Sequence, residues 1–186
     1  EPVLTPAAAE PFMPAEGTAV LENLAFDLAR EASELSAQLH PVVRLSVADL
    51  VRSMNCYYSN LIEGHNTHPR DIDRALAADY SSDPHRRDLQ LEARAHIEVQ
   101  QMIDERVSEI PRPPASRVFI EWTHREFCTR LPESLLFVEN PDTKERIPVA
   151  PGQMRSRTVA VGRHVAPAAE DLPAFMRRFE DAYGAA

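Results

Sequence analysis

From Leu21 to Leu131 the apolar residues return every three or four positions, and a proline or a cluster of turn formers breaks the pattern each time it has run for a few turns. Such spacing marks amphipathic helices, each with one face to bury. It confines the front of the chain to a helical architecture and pushes any sheet toward the C-terminal end.

The first helix is expected to follow Thr18, a residue suited to an N-cap. Its stripe is Leu21, Leu24, Leu28, Ala32, Leu35 and Leu39, and Pro41 marks its stop, because the residue before a proline avoids helical geometry. A second helix runs from about Val43 to Glu63 on Val43, Val47, Leu50, Val51, Met54, Tyr58 and Leu61, and Gly64 is placed for a left-handed cap. Thr67 caps a short third helix that starts at Pro69 or Arg70, with Ile72, Ala75 and Leu76 on its inward side. Ser81-Ser82-Asp83-Pro84 reads as a turn. A long helix comes next, from about Asp88 to Glu109, ended by Pro111, Pro113 and Pro114, and another covers about Ser116 to Leu131.

The character changes after Pro132. Leu135 to Val138 and Arg146 to Val149 are short β-like runs around the turn formers Asn140, Pro141 and Asp142. Thr158 to Val161 is a third run, Gly162-Arg163 turns the chain, and His164 to Ala166 returns it. A last helix, about Ala168 to Tyr183, carries Leu172, Phe175, Met176 and Phe179. Residues 1–17, with Pro2, Pro6, Pro11 and Pro14 among alanines, read as an extended arm that touches the body through Val3, Leu4 and Phe12. The fold class is mainly α with a small β-hairpin region.

The 186 residues suffice for one domain with an arm. Twenty basic against 29 acidic residues argue against a general nucleic-acid binder, whose affinity would come from neutralising phosphates. Between Lys144 and Arg178, however, seven Lys/Arg stand against three acids, a basic edge that suits solvent, an acidic partner or a phosphate. Cys56 and Cys128 each fall in a helical pattern and make no disulfide framework, so a reducing, cytoplasmic setting is expected. No apolar run approaches the ~20 residues of a membrane span, so no membrane partner is expected.

Most reactive residues have a plain reading. The five glycines lie too far apart to cradle a phosphate. His65 and His68 fall in a turn with no acid or cysteine at ligand spacing beside them, so no metal site is expected. His124 and Cys128 share a helix face, but a thiol beside Phe127 on an apolar helix reads as packing and not as a nucleophile. No catalytic residue is assigned in this chain.

The informative stretch is Ser59-Asn60-Leu61-Ile62-Glu63-Gly64. Ser59 and Glu63, four apart, are neighbours on the helix surface. Glu63 sits in the last turn, where the helix dipole disfavours an anion, so its carboxylate is best served by a cation, above all an arginine that grips it bidentately. On the residues alone the simpler account is a surface glutamate followed by a glycine cap.

Ser59-x-x-x-Glu63-Gly64 resembles the inhibitory helix motif, Ser/Thr-x-x-x-Glu-Gly/Asn, of the Fic (Fic/Doc) family. The order of the flanking segments extends the resemblance over about Ala19 to Tyr183. Asn66-Thr67 with Asp71-Ile72, the long helix through Glu92, Ala95 and Ile97, and the helix through Ile120, His124 and Pro132 are similar to successive pieces of that fold. Pro151-Gly152-x-Met154-Arg155 and Val159-x-Val161-Gly162 resemble the lead into the family's flap, a β-hairpin that docks the target; the family often has an aromatic where this chain has Met154. Pro167 and Leu172-Pro173-x-Phe175-Met176 resemble the helix after the flap.

The resemblance implies a Fic-like helical domain and transfer of AMP from ATP, with Mg²⁺, to a hydroxyl of a target protein. The target's identity is left open, with the chain itself or a dimer mate among the candidates. The family's catalytic loop, His-x-Phe-x-Asp/Glu-Gly-Asn-Gly-Arg-x-x-Arg, is absent from these residues and is expected beyond residue 186, so this chain alone is expected to be inactive. The implied organisation is an arm at 1–17, N-terminal helices with the inhibitory helix at 18–66, and the front part of the domain with its flap at 67–186. The implied inhibitory residues are Ser59, Glu63 and Gly64. Glu63 would pair with the loop's second arginine and block the seat of the ATP γ-phosphate, and Ser59 would orient Glu63 by a side-chain hydrogen bond. The implied flap residues are Thr158, Val159, Ala160, Val161, Gly162, His164 and Val165, which would align a target backbone by strand addition. The alternative is a non-enzymatic helical interaction protein, or an inhibitor acting in trans on a separate Fic catalytic chain. In a piece of a larger domain, the stripe Leu172, Phe175, Met176 and Phe179 is expected to stay partly uncovered.

Overall fold

The computed structural model describes residues 5–6, 14–106, 113–140, 143–161 and 164–184. It is mainly α, with two small antiparallel hairpins. The elements, in order, are α1 (Ala19–Gln38), α2 (Pro41–Ile62), α3 (Pro69–Leu76), α4 (Pro84–Arg106), α5 (Arg117–Cys128), β1 (Phe137–Glu139), β2 (Arg146–Pro148), β3 (Ala160–Val161), β4 (His164–Val165) and α6 (Leu172–Tyr183). The expected contacts of Val3, Leu4 and Phe12, the end of the long helix at 107–109, and the turn at Gly162-Arg163 lie outside the described residues.

Among the described residues, three helices start on a proline. Pro41, Pro69 and Pro84 stand first in α2, α3 and α4, where a missing N–H costs nothing and the fixed φ already suits the helix. The long helix therefore begins four residues before its expected start. Thr18 occupies the cap position of α1, but its hydroxyl donates back to the Ala15 carbonyl at 2.7 Å and leaves the helix uncapped by a side chain. The cap of α3 is His68, whose Nδ1 accepts from the Arg70 N–H, and not Thr67.

The core lies where α2, α3 and α4 meet. Cys56, Ile72, Ala93 and Ile97 are buried together, and full burial of Ile72 alone contributes about 1.5–3 kcal/mol. Small residues let the helices come close: Cys56 reaches the Ala93 carbonyl at 3.6 Å. Burial pushes the Cys56 thiol up to about 12, with the Glu92 carboxylate adding to the effect, so it stays protonated and unreactive. Because α4 is the central helix it has two buried sides. Gln90, Ala93 and Ile97 serve α2 and α3, while Val99 faces α5.

Gln90, fully buried, ties α3 and the turn after it to α4. Its Oε1 accepts from the Ser81 N–H at 2.7 Å and its Nε2 donates to the carbonyls of Asp71 and Asp79. Arg86 grips the buried Asp71 carboxylate through two nitrogens at 2.8 and 3.1 Å. Farther along, the Glu180 carboxylate of α6 accepts from the Arg117 N–H at the start of α5, where the helix dipole favours an anion.

The front of the molecule is different. α1 buries none of its residues, and Leu28 is 72% exposed. Val43, Val47, Leu50 and Val51 in the first half of α2 are exposed as well. The amphipathic stripes exist as the spacing predicts, but nothing among the described residues covers them. α6 buries no residue fully; Leu172, Phe175 and Met176 are half-buried, and Phe179 and Tyr183 are exposed.

Candidate functional site

The Ser59–Gly64 stretch closes α2. Gly64 takes φ +82°, and the chain folds back through two backbone bonds, Gly64 N–H to the Leu61 carbonyl at 3.1 Å and His65 N–H to the Asn60 carbonyl at 2.7 Å. This pair is the Schellman motif, which satisfies carbonyls that a helix end leaves open. A Cβ at Gly64 would meet nothing within 4 Å, so the left-handed backbone alone resists a side chain. Gly64→Ala is therefore expected to cost about 1 kcal/mol, measured as a shift of the urea midpoint at constant slope.

Glu63 is the cap residue of α2, with φ −78° and ψ 0°. It is exposed, and among the described residues no cation pairs with it. The structure differs from expectation at Ser59: its side chain makes no hydrogen bond to Glu63. The link between the two is the Glu63 N–H donating to the Ser59 carbonyl at 3.2 Å. Asn60, between them, is buried, and so is Thr67, where the chain reaches α3.

Histidine and cysteine chemistry resolves into packing. His65 Nδ1 meets both carboxylate oxygens of Glu92, at 3.0 and 2.9 Å, a pairing across 27 residues that local spacing cannot reveal. Among the described residues no three metal-ligating side chains come together. His124 Nδ1 accepts from the Gly152 N–H at 2.9 Å, which leaves the proton on Nε2, 3.3 Å from the Cys128 sulfur. His124 thus donates toward Cys128 and cannot take its proton, and burial raises the Cys128 thiol. A nucleophilic dyad does not form.

The region after β2 is built on α5. Gly152, at φ +71°, lies so close to that helix that a Cβ there would stand 2.9 Å from the Glu121 carbonyl. Beyond it, Arg155 donates to the Arg157 carbonyl at 2.6 Å and to the Pro167 carbonyl, joining the entry and exit of the next hairpin. In that hairpin Ala160 pairs with Val165 and Val161 with His164, and Ala166 N–H adds a bond to the Val159 carbonyl. Thr158, Val159, Ala160 and Val165 are exposed. Gly162 lies outside the described residues. The sheet has two strands, so each keeps an outer edge. No hydrogen bond or ion pair joins this hairpin to Ser59–Gly64 among the described residues.

Between α4 and α5 runs an open groove of about 590 Å³, floored by Val99, Ile103, Phe119, Ile120 and Phe127. His96 lies in it edge-on to Phe127, and burial lowers its pKa, which keeps the ring neutral. Among the described residues no carboxylate, lysine or arginine lines the groove. No helix among the described residues is long and apolar enough to cross a membrane. No family model matches the chain, and no curated protein and no solved structure is detectably similar to it.

Proposed function

We propose that this chain is the regulatory and target-docking part of a Fic-type protein adenylyltransferase. The observation that carries the reading is Glu63, exposed and unpaired among the described residues at the end of α2, with Gly64 after it in a left-handed turn. A carboxylate held out at a helix C-terminus is disfavoured by the dipole and gains most from an arginine supplied by another segment. On this reading Glu63 takes the second arginine of the catalytic loop, and the exposed β3–β4 hairpin aligns a target segment along its edge.

ATP and Mg²⁺ would be held by that loop and not by these residues. The glycines are too scattered to cradle phosphates, and the described residues offer no group of three metal ligands. The chain's own part is restraint and docking. The target is a protein hydroxyl, its setting the cytoplasm.

The test is self-modification in a polypeptide that carries the loop together with residues 1–186. Glu63→Gly is expected to raise AMP incorporation roughly tenfold to a hundredfold, the usual range for loss of one coupling contact. Intact mass reads it as a gain of one AMP group, and equal incorporation by the parent would sink the inhibitory role. A second reading, in which the chain restrains a separate catalytic chain in trans, is favoured by the exposed stripes of α1 and α2, which suit a partner.

A further inference from the structure

The stretch between α2 and α3 must hold Glu63 out while crossing a short distance. Glu63, Gly64, His65 and Asn66 are all exposed, and the stretch is bounded by the buried residues Asn60 and Thr67. Those two anchors contribute little direction of their own, since Asn60 Nδ2 and Thr67 Oγ1 have no hydrogen-bond partner among the described residues. Among the described residues the side-chain hydrogen bonds from 63–67 to the rest of the molecule are those of His65 to Glu92. Glu92 is a firm post: its side chain is only 16% exposed, on the central helix α4. A carboxylate only accepts, so His65 Nδ1 carries the proton and donates between both oxygens.

We infer that His65 and Glu92 form a latch that fixes the turn after the Ser-x-x-x-Glu-Gly motif and thereby sets how Glu63 is presented. They are positioning residues and rest on the inhibitory reading of Glu63. With the latch open, the turn after Glu63 keeps only backbone bonds, from Gly64 to Leu61, from His65 to Asn60 and from Thr67 to His65, and Glu63 stands one residue before a glycine. Glu63 then samples more directions, and its grip on an incoming arginine weakens.

The experiment has two arms. In the 186-residue chain, hydrogen exchange is measured at the Gly64, His65 and Thr67 amides for the parent, His65→Ala, Glu92→Ala and His65→Asn. The first two variants are expected to exchange about three- to tenfold faster at these amides, a range that allows for the partial exposure of the pair. Amides around Cys56 should not change, which separates the latch from general loosening. His65→Asn keeps a side-chain N–H at the position of Nδ1 and should restore most of the protection. In the polypeptide carrying the catalytic loop, His65→Ala should raise AMP incorporation to part of the Glu63→Gly level, with His65→Asn close to the parent.

Unchanged exchange at 64–67 overturns the latch. Faster exchange with parental incorporation, while Glu63→Gly is active, overturns its regulatory role. Faster exchange with no gain from Glu63→Gly removes the inhibitory reading itself, and the regulatory role goes with it. A merely structural role would lower the melting temperature of His65→Ala and leave its AMP incorporation at the parental level, which also overturns the regulatory role.

Discussion

Gln90→Leu is expected to destabilise the protein by about 3 kcal/mol, although it trades a polar side chain for an apolar one of similar size inside the core. Gln90 is fully buried and makes bonds to three backbone groups, the Ser81 N–H and the Asp71 and Asp79 carbonyls. Leucine fills the space but leaves the Ser81 donor unpaired, which costs about 1–3 kcal/mol, and loses the two donated bonds, each worth about 0.5–1.5 kcal/mol. The burial of the leucine side chain offsets only part of this loss. Urea unfolding should show a lower midpoint at unchanged slope. A variant as stable as the parent would mean that the α3–α4 connection does not depend on this amide.

That position also shows where sequence reading stops. The helical periodicity marked α1 to α6 within a few residues, because it is a local property of the chain. Burial is not local. Leu28 and Ile72 both sit on apolar stripes, yet one is 72% exposed and the other fully buried, since burial depends on whether another element faces the stripe. Gln90 carries no apolar signal and is nevertheless among the most buried side chains. Its role depends on backbone groups nine to nineteen residues away. The start of α4 at Pro84 differs from expectation for a related reason. A proline forbids a helix behind it and equally suits the first turn of the next one, and at Pro41 and Pro84 the second property decides. At the motif, the glycine cap was legible from Gly64 alone. The Glu92 partner of His65 was not, because it depends on how α2 and α4 pack.

Gly152→Ala should cost a similar amount, about 3 kcal/mol, and for two separable reasons. At φ +71° an L side chain is strained by roughly 1–2 kcal/mol. A methyl there would also stand 2.9 Å from the Glu121 carbonyl and 2.9 Å from the Arg125 Cβ. Arg125 can swing its far end away, but the Glu121 carbonyl belongs to α5 and cannot, so the turn at Gly152 must lift, at about 1–3 kcal/mol for overpacking. Lifting it breaks the Gly152 N–H bond to His124 Nδ1, and that gives a signature beyond lost stability. In the parent, nitrogen NMR of His124 should show a single neutral form protonated at Nε2. In Gly152→Ala the ring should distribute between both neutral forms, alongside a lower urea midpoint. The hairpin of β3 and β4 hangs from this junction through Arg155, so a lifted Gly152 should also speed exchange at the Ala166 amide, which bonds the Val159 carbonyl. If stability falls while His124 keeps its single form and Ala166 its protection, the cost is backbone strain alone and the close seat on α5 is not what requires glycine.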